Sequence, residues 1–253
     1  MLSTEQPSTG PYMPATRSPL PLQNMSRNSL SRRYPSATTP SPSPSLSSSA
    51  SYALKSQQNP NAMPQHIWIV TGPAGCGKTT VAQGLAKELR IPYIEGDDYH
   101  SKSNKEKMTN SIPLTDADRW DWLIQLREAA ISALTTPSSS SPATPRSCPP
   151  GVVATCSALK HKYRDVIRVA AYDHPTVRIH FIYLRAPEEV LLQRVRQRKG
   201  HYMKSTMVHS QFEMLEEPDS EWDALSVDCA ASPAEVQRRV NSIVQQKLDE
   251  YSE

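Results

Sequence analysis

The amino-acid sequence predicts an α/β fold in which a parallel sheet is covered by helices on both faces. Two observations carry this reading. From residue 67 onward, short apolar runs alternate with longer stretches whose apolar residues recur at helical spacing. The segments left over, 1–63 and 135–150, are rich in Ser, Pro and Thr and too poor in large apolar groups to offset the entropy of ordering them. They are read as a disordered tail and a flexible surface insertion, and the foldable domain as 64–253. Without the insertion that domain has roughly 170 residues, ample for one buried core.

Five runs are strand candidates: 67–71, 92–95, 152–156, 177–184 and, the weakest, 224–227. Helical patterns lie between them. Residues 78–89 place Val81, Leu85 and Leu89 on one face, and 115–134 place Trp122, Leu123, Leu126 and Ile131 behind a Thr115 N-cap. Residues 160–170 and 187–198 are further helices. The last helix opens with Ser232, Pro233 and Glu235, an N-cap, a first-turn proline and a capping-box acid in order.

The formal charge of +3 suggests a polyanion partner only until it is divided along the chain. The tail holds Arg17, Arg27, Arg32, Arg33 and Lys55 against Glu5, leaving 23 basic and 24 acidic residues for the rest. A near-neutral domain is not expected to bind nucleic acid. Cys76, Cys148, Cys156 and Cys229 show no C-x-x-C spacing, and no apolar run has the length of a membrane span or a signal h-region. Reduced thiols, no membrane partner and a cytoplasmic location are expected.

The strongest signal is Gly72-Pro73-Ala74-Gly75-Cys76-Gly77-Lys78-Thr79, which fits G-x-x-x-x-G-K-[ST] between a strand and a helix. Glycines let the backbone turn successive N–H groups inward onto phosphate oxygens, and the helix N-terminus adds its partial positive charge. Lys78 is expected to reach the β- and γ-phosphates of ATP. Thr79 offers a hydroxyl to Mg²⁺, and Thr80 follows it at the nucleotide. The loop specifies nucleotide binding but not an acceptor. An acceptor such as shikimate or a nucleoside monophosphate, or a nucleotide-dependent regulatory protein, stays open on the loop alone.

The second strand candidate ends in Glu95-Gly96-Asp97-Asp98-Tyr99-His100, which sets carboxylates and an imidazole at the C-terminal edge of a parallel strand, where open α/β sheets bind ligands. Asp97 is the candidate to accept an acceptor's hydroxyl proton. Six segments, GPAGCGKTT (72–80), EGDDYHSKSNKEKM (95–108), PLTDADRWDWL (113–123), CSALKHKYRDVIR (156–168), RQRKGHYMKSTMVHSQFEMLEEP (196–218) and VDCAASPAEV (227–236), together resemble the gluconokinases of the shikimate-kinase-like P-loop kinases.

The resemblance implies a three-layer sandwich with a five-stranded parallel sheet, a mobile lid at about 194–209, a homodimer, and transfer from ATP to gluconate giving 6-phosphogluconate and ADP. Carried over by position, Asp97 resembles the acceptor-hydroxyl residue, and Glu95 resembles an acid near Mg²⁺. A polyhydroxy acid needs a cation for its carboxylate and several hydrogen-bonding groups for its hydroxyls. His100, Lys107, Arg119, Ser157 and Arg164 are the candidates, with the two arginines best suited to clamp a planar carboxylate. In the lid, Arg194 and Arg198 lie four apart on one helical face and are the candidates to meet the transferring phosphoryl group. One departure from the family pattern is Ser111, which stands where related sequences usually have Gly. Asn110 is expected to supply the turn there.

Overall fold

The computed structural model describes residues 63–135, 150–172, 174–197 and 205–251. The tail, nearly all of the insertion and residues 198–204, with Arg198 among them, lie outside the described residues. The chain runs β1 (Gln65–Thr71), α1 (Lys78–Leu89), β2 (Tyr93–Ile94), a 3₁₀ turn (Gly96–Tyr99), α2 (Lys102–Thr109), α3 (Asp116–Thr135), β3 (Gly151–Thr155), α4 (His161–Arg168), β4 (Val177–Arg185), α5 (Glu188–Gln197), α6 (Ser205–Glu213), β5 (Ala224–Asp228) and α7 (Pro233–Asp249). The five strands are parallel in the order β2-β3-β1-β4-β5.

Both faces of the sheet are buried, so its central strands read as nearly continuous apolar runs. In β1, Trp68 and Val70 face a core closed by α1, α5 and α7, while Ile67 and Ile69 face a second core closed by α3 and α4. β4 divides likewise, Ile182 and Leu184 to the first and Ile179 and Phe181 to the second. The period-two alternation therefore sorts side chains between two cores rather than between core and water. α7 contributes Val236, Val240, Val244 and Leu248 at four-residue spacing, a single apolar stripe. Its Ser232 side chain accepts a hydrogen bond from the Glu235 N–H, as the cap pattern predicts. At the start of α3, Thr115 and Asp118 each accept from the other's N–H, a capping box with Asp in the acid position.

Three expectations are corrected. β2 is shorter than 92–95 because the 3₁₀ turn begins at Gly96, whose lack of a side chain lets the backbone pass close to the Thr155 carbonyl: a Cβ there would sit 1.9 Å from that oxygen. Residues 102–109 and 205–213 form helices that the apolar pattern does not reveal. The left-handed residue ending α2 is Ser111 itself, at φ 59°, while Asn110 stays at φ −82°. The Ile112 N–H reaches back to the Lys107 carbonyl at 2.8 Å and closes that turn.

Candidate active site

The loop between β1 and α1 takes the conformation its glycines permit, with φ of 137° at Gly72, 87° at Gly75 and 96° at Gly77. At Gly75 a side chain would meet Val195 and the Leu191 carbonyl of α5, so α5 packs directly on the loop. The Lys78 ammonium donates to the Gly72 and Pro73 carbonyls at 2.9 and 3.0 Å, which folds its side chain back over the loop mouth.

Glu95 is the hub on the second strand's side. One carboxylate oxygen accepts from Thr79 Oγ1 at 2.9 Å and from the Tyr93 hydroxyl, and the other accepts from Thr155 Oγ1. Burial pushes this carboxyl up, but the hydroxyl donors of Thr155, Tyr93 and Thr79 outweigh it and hold the acid below its ordinary value. The same environment raises the Tyr93 phenol, by burial first and then by Glu95. A neutral phenol is thereby kept as a donor beside an ionised acid.

Asp97 sits two residues on, in the 3₁₀ turn held by Trp122 Nε1 donating to the Gly96 carbonyl at 2.7 Å and by the Gly96 N–H donating to Thr155 Oγ1 at 2.9 Å. Its side chain keeps an open face to solvent, yet the surrounding cleft wall raises its carboxyl above the ordinary value. Loss of hydration is the largest cause. Lys78 opposes it, and the charges of Glu95 and Asp98 add to it. The two carboxyls of this turn are thus pushed apart, Glu95 down and Asp97 up, the pattern that separates an ionic ligand from a proton acceptor.

One cleft brings Lys78, Asp97, His100, Arg119 and Ser157 together, walled by Met108, Leu114, Trp122 and by Met207, Ser210, Gln211 and Met214. His100 is buried and stacked on Trp122 with ring centroids 4.0 Å apart. Burial, then the charges of Arg119 and Lys105, lower it to about 4, so it enters the site as a neutral imidazole and not as a cation. Its Nδ1 is buried and has no hydrogen-bond partner among the described residues. Arg119 Nη1 donates to the Leu114 carbonyl and, at 3.4 Å, to the Tyr163 hydroxyl, with its guanidinium carbon 5.4 Å from the Tyr163 ring centre. Among the described residues no carboxylate pairs with it. The neighbouring acids are taken: Asp116 by Lys160, Lys162 and Tyr163, and Asp118 by Lys107 at 2.6 Å.

The remaining sequence candidates are placed elsewhere. Lys107 spends its ammonium on Asp118 and does not line the cleft. Arg164 is buried, with Nε and Nη2 on Glu221, Nη1 on the Ala158 carbonyl at 2.7 Å and Nη2 also on the Glu216 carbonyl at 2.9 Å. Every nitrogen of its guanidinium is engaged, so its place is to pin the Ser157–Ala158 turn, whose Ala158 has φ 34°. Arg168 completes this cluster by binding Glu221 and Asp223. Arg194 donates from Nη2 to the carbonyls of Cys229, Ala230 and Ala231 at 2.8 to 3.2 Å. It lines a second cleft with Gly75, Cys76, Gly77, Thr80, Cys229 and Pro233, which Asp97 does not line.

The chain matches, over residues 69–221, a family model described as an AAA domain. A Schizosaccharomyces pombe protein described as a probable gluconokinase is 40% identical over 194 residues, 76% of this chain and 95% of that protein. The thermoresistant gluconokinase of Escherichia coli K12 is 38% identical over 164 residues, 64% of this chain and 84% of that one. Among solved structures, a gluconokinase from Sinorhizobium meliloti 1021 superposes with a TM-score of 0.61 at 34% identity, covering 74% of this chain and 95% of its own.

Proposed function

The chain belongs to the gluconokinase family of ATP-dependent P-loop kinases, and from that premise we propose that it transfers the γ-phosphoryl group of MgATP to the 6-hydroxyl of gluconate. The observation that carries this is the pairing, in one cleft, of a proton acceptor beside the phosphate loop with an arginine, Arg119, that has no acidic partner among the described residues. Asp97 takes the proton of the attacking hydroxyl, whose oxygen bonds to the γ-phosphorus as the bond to the ADP oxygen breaks. Lys78 follows the charge that develops on the phosphates. Arg119 pairs with the gluconate carboxylate at the other end of the cleft, and His100 and Ser157 hydrogen-bond its hydroxyls.

Thr79 and Glu95 fit a magnesium ion: their oxygens are hard donors held 2.9 Å apart beside the phosphate loop, and magnesium asks for few protein ligands beyond phosphates and water. Bound there, the metal neutralises charge on the β- and γ-phosphates. The second cleft, between the loop and residues 229–233, suits the nucleotide's base, with Arg194 shaping its wall.

A panel of gluconate, shikimate and nucleoside monophosphates with MgATP tests the assignment. Gluconate is expected to give the highest kcat/KM, and faster turnover of any other member would overturn it.

A further inference from the structure

Among the described residues, helix α6 meets the phosphate loop through a hydrogen bond. Gln211 Oε1 accepts from the Ala74 N–H at 2.7 Å, across 137 residues of sequence. The same side chain lines the cleft that holds Lys78, Asp97, Arg119 and Ser157. α6 is otherwise anchored by Val208, buried in the core that includes Val81 and Leu191, and by His209, which meets Glu188 of α5 at 2.9 Å. A backbone N–H can only donate, so the bond orients the carboxamide, oxygen to the loop and NH₂ away from it. That leaves two donors for a group bound in the cleft.

The cleft has a cavity volume of about 60 Å³. That is room for a few water molecules. Met207, Ser210 and Gln211 form the α6 side of that space, so the Gln211–Ala74 bond fixes how α6 stands against the phosphate loop across the cleft.

We propose that Gln211 is a positioning residue for the transfer: through Ala74 it locks α6 onto the phosphate loop, which excludes water and holds the acceptor in line with the γ-phosphoryl group. This rests on the kinase reading above. Without the lock, water competes as acceptor. Its oxygen bonds to the γ-phosphorus, the bond to ADP breaks, a proton goes to solvent, and phosphate and ADP leave without a phosphorylated acid.

The test compares Gln211→Met, which keeps length and packing but cannot accept the bond, with Gln211→Ala, using the acceptor on which the unaltered protein is most active. For both variants kcat is expected to fall roughly tenfold to a hundredfold, the scale of a misaligned reacting pair. The KM for ATP stays near that of the unaltered protein, and more than one ADP forms per phosphorylated acceptor. Gln211→Met with full kcat and a one-to-one ratio overturns the proposal, as does a loss of kcat in both variants with the ratio still at one. The unaltered protein's preference in the acceptor panel decides the kinase reading separately, so the two failures are distinct.

Discussion

At the scale of single residues, the two carboxyls of the second strand's edge divide the work by environment. Asp97→Asn removes the proton acceptor while leaving the phosphate loop intact. Turnover is expected to drop by roughly 10²- to 10⁴-fold with ATP affinity retained, measured by steady-state rates beside nucleotide titration. Because the Asp97 carboxyl is raised, the unaltered enzyme should lose kcat as pH falls through a value above the ordinary aspartate range, and the Asn variant should lack that limb. The two arginines read together in the sequence separate in the same way. Arg119→Ala is expected to raise the KM for gluconate with little effect on melting. Arg164→Ala leaves Glu221 buried with one fewer partner and should destabilise the fold by about 3–5 kcal/mol, seen in a denaturant titration. Equal effects of both on KM would contradict this division. Sequence spacing cannot separate such arginines, because the acid that occupies Arg164 lies 57 residues away.

At the scale of elements, the helices missed in the sequence share a cause. α2 buries only Asn104 and Met108, so it carries no apolar stripe, and α6 lies inside a motif whose basic start reads as a loop. The strands of the sheet and the longer helices were legible, because the central strands carry apolar runs and helices such as α7 bury a periodic face, whereas the order of the strands was not. The supports of Glu95 were not: Thr155 reaches it through the register that pairs Tyr93 with Val153 and Ile94 with Ala154, a relation between strands that no local pattern encodes. The end of α2 offers a direct test. Ser111 holds a left-handed conformation and a buried hydroxyl without a hydrogen-bond partner among the described residues. Ser111→Gly removes both costs and is expected to raise stability by about 1 kcal/mol, read as a higher urea midpoint at unchanged m-value. A lower midpoint would show that the hydroxyl is needed.

At the scale of the whole molecule, stability should depend on pH through histidines far from the chemistry. His66 and His180 are buried side by side on β1 and β4, with Nδ1 of the first 3.0 Å from Nε2 of the second, between Trp68 and Tyr251. Burial, aided by Arg178, lowers His66 to about 4, and burial with the charges of His66, Lys247 and Arg178 lowers His180 to about 3. Both stay neutral in the fold, as does His100, but take up protons near 6.5 once unfolded. Their contribution is complete above pH 6.5 and is lost as pH falls toward 4, by about a factor of ten in the folding equilibrium per histidine per pH unit. Above pH 5, Glu95 and Glu221, both held low, remain ionised, while Asp97 and His209, both raised, act in the opposite direction and offset part of the loss. A urea midpoint unchanged between pH 7 and pH 5 would refute the assignment.

The sheet order also sets when the chain can fold during synthesis. β1 is made first but lies in the middle, and its two neighbours begin only at Gly151 and Val177. A nascent chain carrying β1, α1 and β2 has an apolar strand with no partner to pair with, and so must be kept from aggregating until well over half the domain has left the ribosome. A chain stopped at residue 175, before β4, is expected to be cleaved rapidly under conditions in which the full chain resists protease. Resistance of that fragment would mean that β3 alone suffices to seat β1.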